Sequence, residues 1–203
     1  MEEQLNNIID RVSDLYMRYG IRSVTMDDVS RHLGISKKTL YSYVKDKREL
    51  VELTVNNHLN KNFKAEADLK RQNLNAIDEL LEVYRFAGEM IKDANPSYQY
   101  DLQKYYPHLC DKFNQFTKEN LFHIIKNNLE KGIKEGVYRQ EMNVELIARM
   151  HAFRHFRSED LDRENIEFLM KKDSFREIFL YHTHAIVNNK GREILKQKKF
   201  FDQ

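Results

Sequence analysis

The stretch that most constrains this chain is Thr25–Val44, TMDDVSRHLGISKKTLYSYV. Two short amphipathic runs meet at Gly34, and Gly34-Ile35-Ser36 between them is long enough only for a tight turn. Thr25 and Asp28 stand at the spacing of a capping box, so a helix starts after Thr25 with Met26, Val29 and Leu33 pointing inward. Ser36 is a good N-cap for a further helix over Lys37–Val44. On a wheel of 100° per residue Leu40 and Val44 fall within about 40° of each other, with Tyr43 flanking them. Lys37, Lys38, Tyr41 and Ser42 take the opposite arc. That helix therefore has an apolar back and a front of two ammonium groups, a phenol and a hydroxyl.

Charge points the same way. Between residues 31 and 48, Arg31, Lys37, Lys38, Lys45, Lys47 and Arg48 are opposed only by Asp46, whereas residues 1–60 as a whole balance nine basic against nine acidic side chains. The positive charge is local to the motif, which suits phosphate contact at one place better than loose polyanion binding. A second capping box, Asp46 with Glu49, starts another helix and leaves Lys47 in its first turn, where helix dipole and ammonium together suit a phosphate oxygen. The major groove of DNA admits one helix, and base-edge acceptors there are within reach of lysine and hydroxyl donors. The candidate DNA-contacting residues are Thr25, Met26, Lys37, Lys38, Thr39, Tyr41, Ser42, Tyr43 and Lys47, with Lys47 fixing register on the backbone.

The rest of the chain reads as helix throughout. Leu5, Ile8, Ile9, Val12, Leu15, Tyr16 and Tyr19 form one face of a first helix over residues 3–19, ended by Gly20. Leu50, Leu53, Val55 and Leu59 continue the apolar pattern after the motif, and the polar run from Lys61 marks the passage to a second domain. A face over Leu74, Ile77, Leu81, Tyr84 and Gly88 closes near Asn95-Pro96. Pro107 breaks or restarts a helix. Phe113, Phe116, Leu121, Ile124, Ile125, Leu129 and Ile133 face inward on a long helix stopped by Gly136. Asn143 caps another carrying Val144, Ile147, Met150 and His151. A short helix over Ile166–Met170 precedes a last face of Phe175, Ile178, Phe179, His182 and Ile186, followed by a basic tail from Lys190. No strand-like alternation stands out, and the expected class is all-α. A three-helix DNA-binding domain over residues 1–62 is followed by a helical regulatory and dimerisation domain over 63–203.

The block VTMDDVSRHLGISKKTLYSYVKDKRELV, preceded by a helix ending in Tyr19-Gly20, resembles the N-terminal domain of TetR-family transcriptional regulators. The resemblance rests on Gly20, Thr25, Val29, Leu33, Gly34, Ile35, Ser36, Thr39, Leu40, Tyr41, Tyr43, Lys47 and Leu50, about the first quarter of the chain. Val44 departs from it, since family members often carry phenylalanine there, yet the position stays apolar. The segments Gly132–Arg139 and His182–Leu195 resemble the family's C-terminal domain less specifically. The resemblance implies an all-helical homodimer, with the last two long helices of each subunit forming a four-helix interface. It also implies a palindromic operator in double-stranded DNA, repression, and a small-molecule effector bound by the C-terminal domain. Tyr84, Tyr105, Phe122 and Phe153 are the candidate ligand-binding residues among the aromatics.

Other chemistries find little support. There is no glycine-rich phosphate loop, nucleophile elbow or CxxC pair, so no enzyme and no cofactor is expected. His151 and His155 have a chelating i, i+4 spacing, but with no third ligand no metal site is expected. His182 and His184 lie two apart on one helix and face different ways. The single cysteine, Cys110, makes no internal disulfide and fits a packed thiol in a reducing compartment. No apolar run reaches the ~20 residues that span a bilayer, and the N-terminus lacks a signal-peptide layout. A cytoplasmic protein without membrane contact is therefore expected. The alternative function is a helical small-molecule-binding protein whose N-terminal motif is only a packing corner.

Overall fold

In the computed structural model, described for residues 2–92, 96–154 and 171–198, the backbone is helical and contains no strand, only one isolated bridge between Tyr138 and Val187. The helices are α1 (Glu2–Tyr19), α2 (Met26–Leu33), α3 (Lys37–Tyr43), α4 (Lys47–Arg71) and α5 (Ala76–Lys92). They are followed by α6 (Pro96–Tyr105), α7 (Pro107–Lys134), α8 (Val144–Arg154), α9 (Lys172–Ile186) and α10 (Asn189–Gln197). Pro96 and Pro107 each occupy the first position of a helix, where a missing N–H costs nothing. The expected short helix at Ile166–Met170 lies outside the described residues, as does His155.

The chain divides into two compact units. The first comprises Met1–Lys64 and Asp93–Gln115. Its core gathers Ile8, Val12, Tyr16, Ile21, Val29, Leu40, Leu50 and Val55 with Tyr98, Leu102 and Cys110. Residues 93–115, read from sequence as part of the second domain, thus belong to the unit that carries the motif. A buried carboxylate secures them there: the backbone N–H of Arg22 donates to Asp101 Oδ2 (2.7 Å), and Arg22 Nη1 donates to the Tyr105 hydroxyl (2.8 Å). Gly20 takes φ +82°, and a Cβ there would also meet Asp101 Oδ2 at 3.0 Å. Cys110 is buried, as expected of a packed thiol.

The second unit comprises Ala65–Lys92 and Phe116–Gln203. Its core centres on Tyr138, fully buried among Ile77, Leu129, Ala148, Phe179, Ile186 and Leu195. Tyr138 Oη lies 2.9 Å from Asn128 Oδ1 and 3.1 Å from the Ala76 carbonyl; its one proton serves one of them, while Asn128 Nδ2 donates to the Ala76 carbonyl (2.8 Å). Gly132 makes the ring's position possible, because a Cβ there would come within 2.1 Å of it. The segments Gly132–Arg139 and His182–Leu195 lie against each other. The Arg139 N–H donates to the Ile186 carbonyl (3.0 Å) and the Asn188 N–H to the Val137 carbonyl (3.1 Å). Asn188 Nδ2 donates to the carbonyls of Gly136 and Tyr138.

Three readings are corrected. Tyr19, expected inward, is exposed: it is the last residue of α1, and Ile21 and Val24 beyond the Gly20 turn fill the core in its place. Met150, also expected inward, is exposed, because the small residues Ala148 and Ala152 are the ones buried on α8. The basic tail after Lys190 holds a helix, α10. Asn188 caps it by accepting from the Gly191 N–H, and Leu195 is fully buried.

Candidate nucleic-acid interface

The local signals around the motif produce the expected caps. Thr25 Oγ1 accepts from the Asp28 N–H (3.2 Å) and Asp28 Oδ2 accepts from the Thr25 N–H (3.0 Å), closing a complete capping box. Those hydrogen bonds hold the Asp28 carboxyl below the usual carboxylate range. Gly34 takes the left-handed conformation (φ +73°), and Ser36 Oγ accepts from the Thr39 N–H (3.0 Å) to start α3. The helix ends at Tyr43, and Val44 is an extended, buried C-cap. The box expected at Asp46 is only half formed. Asp46 Oδ1 accepts from the Glu49 N–H (2.9 Å), but Glu49 Oε2 reaches back to the N–H of Lys45 instead of that of Asp46.

These caps place the candidate residues as follows. Leu40 is fully buried, while Lys37, Lys38, Thr39, Tyr41 and Ser42 are exposed on α3 and Thr25 is exposed at the start of α2. Met26 and Tyr43 are half-buried, packed against the first core. The Tyr43 hydroxyl donates to Gln4 Oε1 (2.6 Å), so its proton is engaged before any ligand arrives. The Ser42 hydroxyl likewise donates to the Thr39 carbonyl (2.7 Å). Lys47 is half-buried; burial pushes its ammonium below the usual lysine value, and the carboxylates of Asp101 and Asp28 oppose that shift.

Three contacts on this face add to what the sequence predicts. Asp27 pairs with Lys37 (2.5 Å) and Asp28 with Arg31 (3.3 Å), so two of the six cations between residues 31 and 48 are held by acids at the start of α2. Among the described residues Lys38, Lys45 and Arg48 carry no ion pair. Arg11 reaches from α1 to the end of α2, where Nη2 donates to the His32 carbonyl (2.5 Å) and Nη1 to that of Leu33 (3.3 Å). Acids in a helix's first turn are a readable signal; the partner of Arg11, more than twenty residues away, had none.

The ligand-pocket candidates are not all in one unit. Tyr105 belongs to the first, where with Arg48, Tyr106, Pro107, His108 and Leu109 it lines an open cleft of about 230 Å³. Tyr84 belongs to the second, stacked on Phe175 (5.1 Å between ring centroids) and Phe179 (4.1 Å). Phe122 lies beneath the Arg149 guanidinium, 4.9 Å from the ring centroid. Phe153 falls on α8, and its side chain lies outside the described residues. The His151 ring packs on that of His182 (3.7 Å), with His182 buried and His184 exposed. Among the described residues no three His, Cys, Asp or Glu side chains gather as a metal site would require, and no helix is long and apolar enough to cross a membrane.

Comparison with known proteins agrees with this geometry. Residues 8–54 match the family described as bacterial regulatory proteins, tetR family. An uncharacterized HTH-type transcriptional regulator of Bacillus subtilis (strain 168), YvaF, is 29% identical over 98 residues, 48% of this chain and 52% of that protein. The chain thus spans about half the length of this curated relative. A TetR-family transcriptional regulator from Agrobacterium tumefaciens has a similar fold, with TM-score 0.69 and 15% identity over 92% of this chain and 99% of that one. So does a gamma-butyrolactone receptor described as ArpA-like, with TM-score 0.62 and 14% identity over 95% of this chain and 93% of that one.

Proposed function

We propose that this chain, a member of the tetR family of bacterial regulatory proteins, acts as a homodimeric, sequence-specific repressor that reads a palindromic operator through α3. The observation that carries the reading is the division of α3 itself: Leu40 is fully buried, while Lys37, Lys38 and Tyr41 project from the opposite arc. Lys38 and Tyr41 reach base edges from the major groove, and Thr25, Lys45 and Lys47 hold the phosphate backbone. Lys47, in the first turn of α4, adds its ammonium to the positive end of the helix dipole, and together they suit a phosphate oxygen.

One seven-residue helix contacts too few bases to specify a site, so two copies are required. Leu146 and Met150, one turn apart on α8, and Tyr181 on α9 are large apolar side chains left exposed; we assign them to the dimer contact. The two-fold axis then demands half-sites about one helical turn, 34–36 Å, apart or a multiple of it. A small-molecule effector acting on the second unit releases the operator, a reading supported by the receptor that shares this fold. The protein works without enzymatic activity, in the cytoplasm, where its DNA lies.

Selection of duplexes from a random library by the purified full-length chain tests the reading, and a two-fold symmetric consensus is expected. Lys47→Ala should then weaken binding to every sequence alike, whereas Lys38→Ala should cost about 1–3 kcal/mol at one base pair and relax preference there. Absence of any retained duplex at low salt would sink the proposal.

A further inference from the structure

We propose that Asp27 is a specificity-setting residue of the α3 face, neutralising the Lys37 ammonium toward the phosphate backbone while leaving it donors for a correct base edge. This rests on the DNA-binding reading above. Lys37 Nζ lies 2.5 Å from Asp27 Oδ1, with the two side chains 57% and 54% exposed. Both groups therefore stand on the surface that α3 offers to a ligand. The pairing is built by the caps: the Thr25–Asp28 box fixes the first turn of α2, with Asp27 in it, and Ser36 sets Lys37 as the first residue of α3. The turn at Gly34 brings the two within reach.

The result is an asymmetry between adjacent lysines. Lys38 has no ion pair among the described residues, whereas Lys37 is already neutralised. On DNA of arbitrary sequence the attraction is to phosphate charge and the release of counterions, and a Lys37–Asp27 pair presents no net charge to it. At a correct site, directed acceptors such as guanine O6 and N7 take the ammonium's remaining donors. Asp27 occupies one of the ammonium's three donors, so the pair stays closed while the others serve such an acceptor; it costs little there and lowers affinity everywhere else. Asp27 is thus a positioning residue that acts through Lys37.

The test compares the full-length chain and its variants on a duplex selected by the wild type and on a scrambled duplex of the same composition. Asp27→Asn should raise affinity for the scrambled duplex about threefold to fivefold at low salt. It should also steepen the slope of log K against log salt on that duplex by about 0.9, one phosphate's share. Affinity for the selected duplex should change less than about twofold, so the specificity ratio shrinks. Asp27→Glu should restore the wild-type slope, and in a Lys37→Met background Asp27→Asn should change neither affinity nor slope. The Asp27 contact to Ser30 uses its backbone carbonyl, which asparagine also supplies, so the helix is retained. A wild-type slope for Asp27→Asn overturns the proposal, as does an effect that persists with Lys37→Met, since the carboxylate would then repel DNA directly. A wild type that selects no duplex sinks the DNA-binding reading itself and this inference with it, an outcome distinct from both.

Discussion

The turn between α2 and α3 and the node around Tyr138 do similar mechanical work, yet they are held in opposite ways. At the first, the caps are local, Thr25 with Asp28 and Ser36 with Thr39, each three residues apart, and Arg11 adds a reach from α1 to the end of α2. At the second they span the chain. Asn188 Nδ2 reaches Gly136 across 52 residues, the Ala76 N–H donates to Glu135 Oε2 across 59, and Tyr138 meets the Ala76 carbonyl across 62. A local bond closes a small loop and forms with its helix, whereas a distant one exists only once the whole unit has folded. The reading face should therefore yield piecemeal to substitution, and the Tyr138 node should fail as a unit.

The largest expected effect comes from Gly132→Ala. Its new Cβ would sit 2.1 Å from the Tyr138 ring, and the ring cannot shift without surrendering its contacts to Asn128 and Ala76. Overpacking of this kind plus loss of buried hydrogen bonds should cost about 3 kcal/mol or more, read as a lowered urea midpoint. Hydrogen exchange should show protection lost across α5, the second half of α7 and α10 together, with α2 and α3 spared. A loss confined to the turn around Gly132 would break the comparison.

The same contrast explains what could be read from the chain. Helix positions, the capping box at Thr25, the cap at Ser36 and the break at Pro107 were legible because each is a relation between near neighbours. The exposed cationic arc of α3 followed from periodicity alone. The Asp27–Lys37 pair was not found, because it joins two helices whose relative angle is set by the Gly34 turn. Arg11 on the end of α2, Asp101 beneath the α1–α2 connection and Asn188 beneath the end of α7 were illegible for the same reason. Tyr19 and Met150 misled because periodicity gives a face but not where the core beneath it ends. The aromatic residues gave no site, since a stacked ring such as Tyr84 and a pocket-lining one have the same spacing.

The first unit is not held by local bonds alone, and acid should reveal it. His58 on α4 packs on Phe113, 55 residues on (ring centroids 5.5 Å apart), and burial, helped by the Lys61 charge, pushes its imidazole down to about 4. The unfolded chain takes up that proton near pH 6.5, so the full contribution is present above about 6.5 and is lost as pH falls toward 4. At pH 5 the loss should be about 2 kcal/mol relative to neutral pH. Exchange protection in α1 and α4 should fall with it, and His58→Gln should flatten the profile between pH 6.5 and 4.5. A variant with the wild-type slope in that window would show that another group carries the acid response.

The smallest effect isolates the local case. Nothing lies within 4 Å of a Cβ placed on Gly34, so Gly34→Ala meets no steric obstacle and is penalised only by φ +73°. The cost should be about 1–2 kcal/mol. Gly34→Asn should recover part of it, because asparagine tolerates the left-handed region, while Gly132→Asn should recover nothing, since its Cβ meets the same ring. Measured by urea denaturation, the four variants separate a conformational requirement from a spatial one. Equal penalties for Gly34→Ala and Gly34→Asn would mean that the α2–α3 turn, too, is set by packing beyond its own residues.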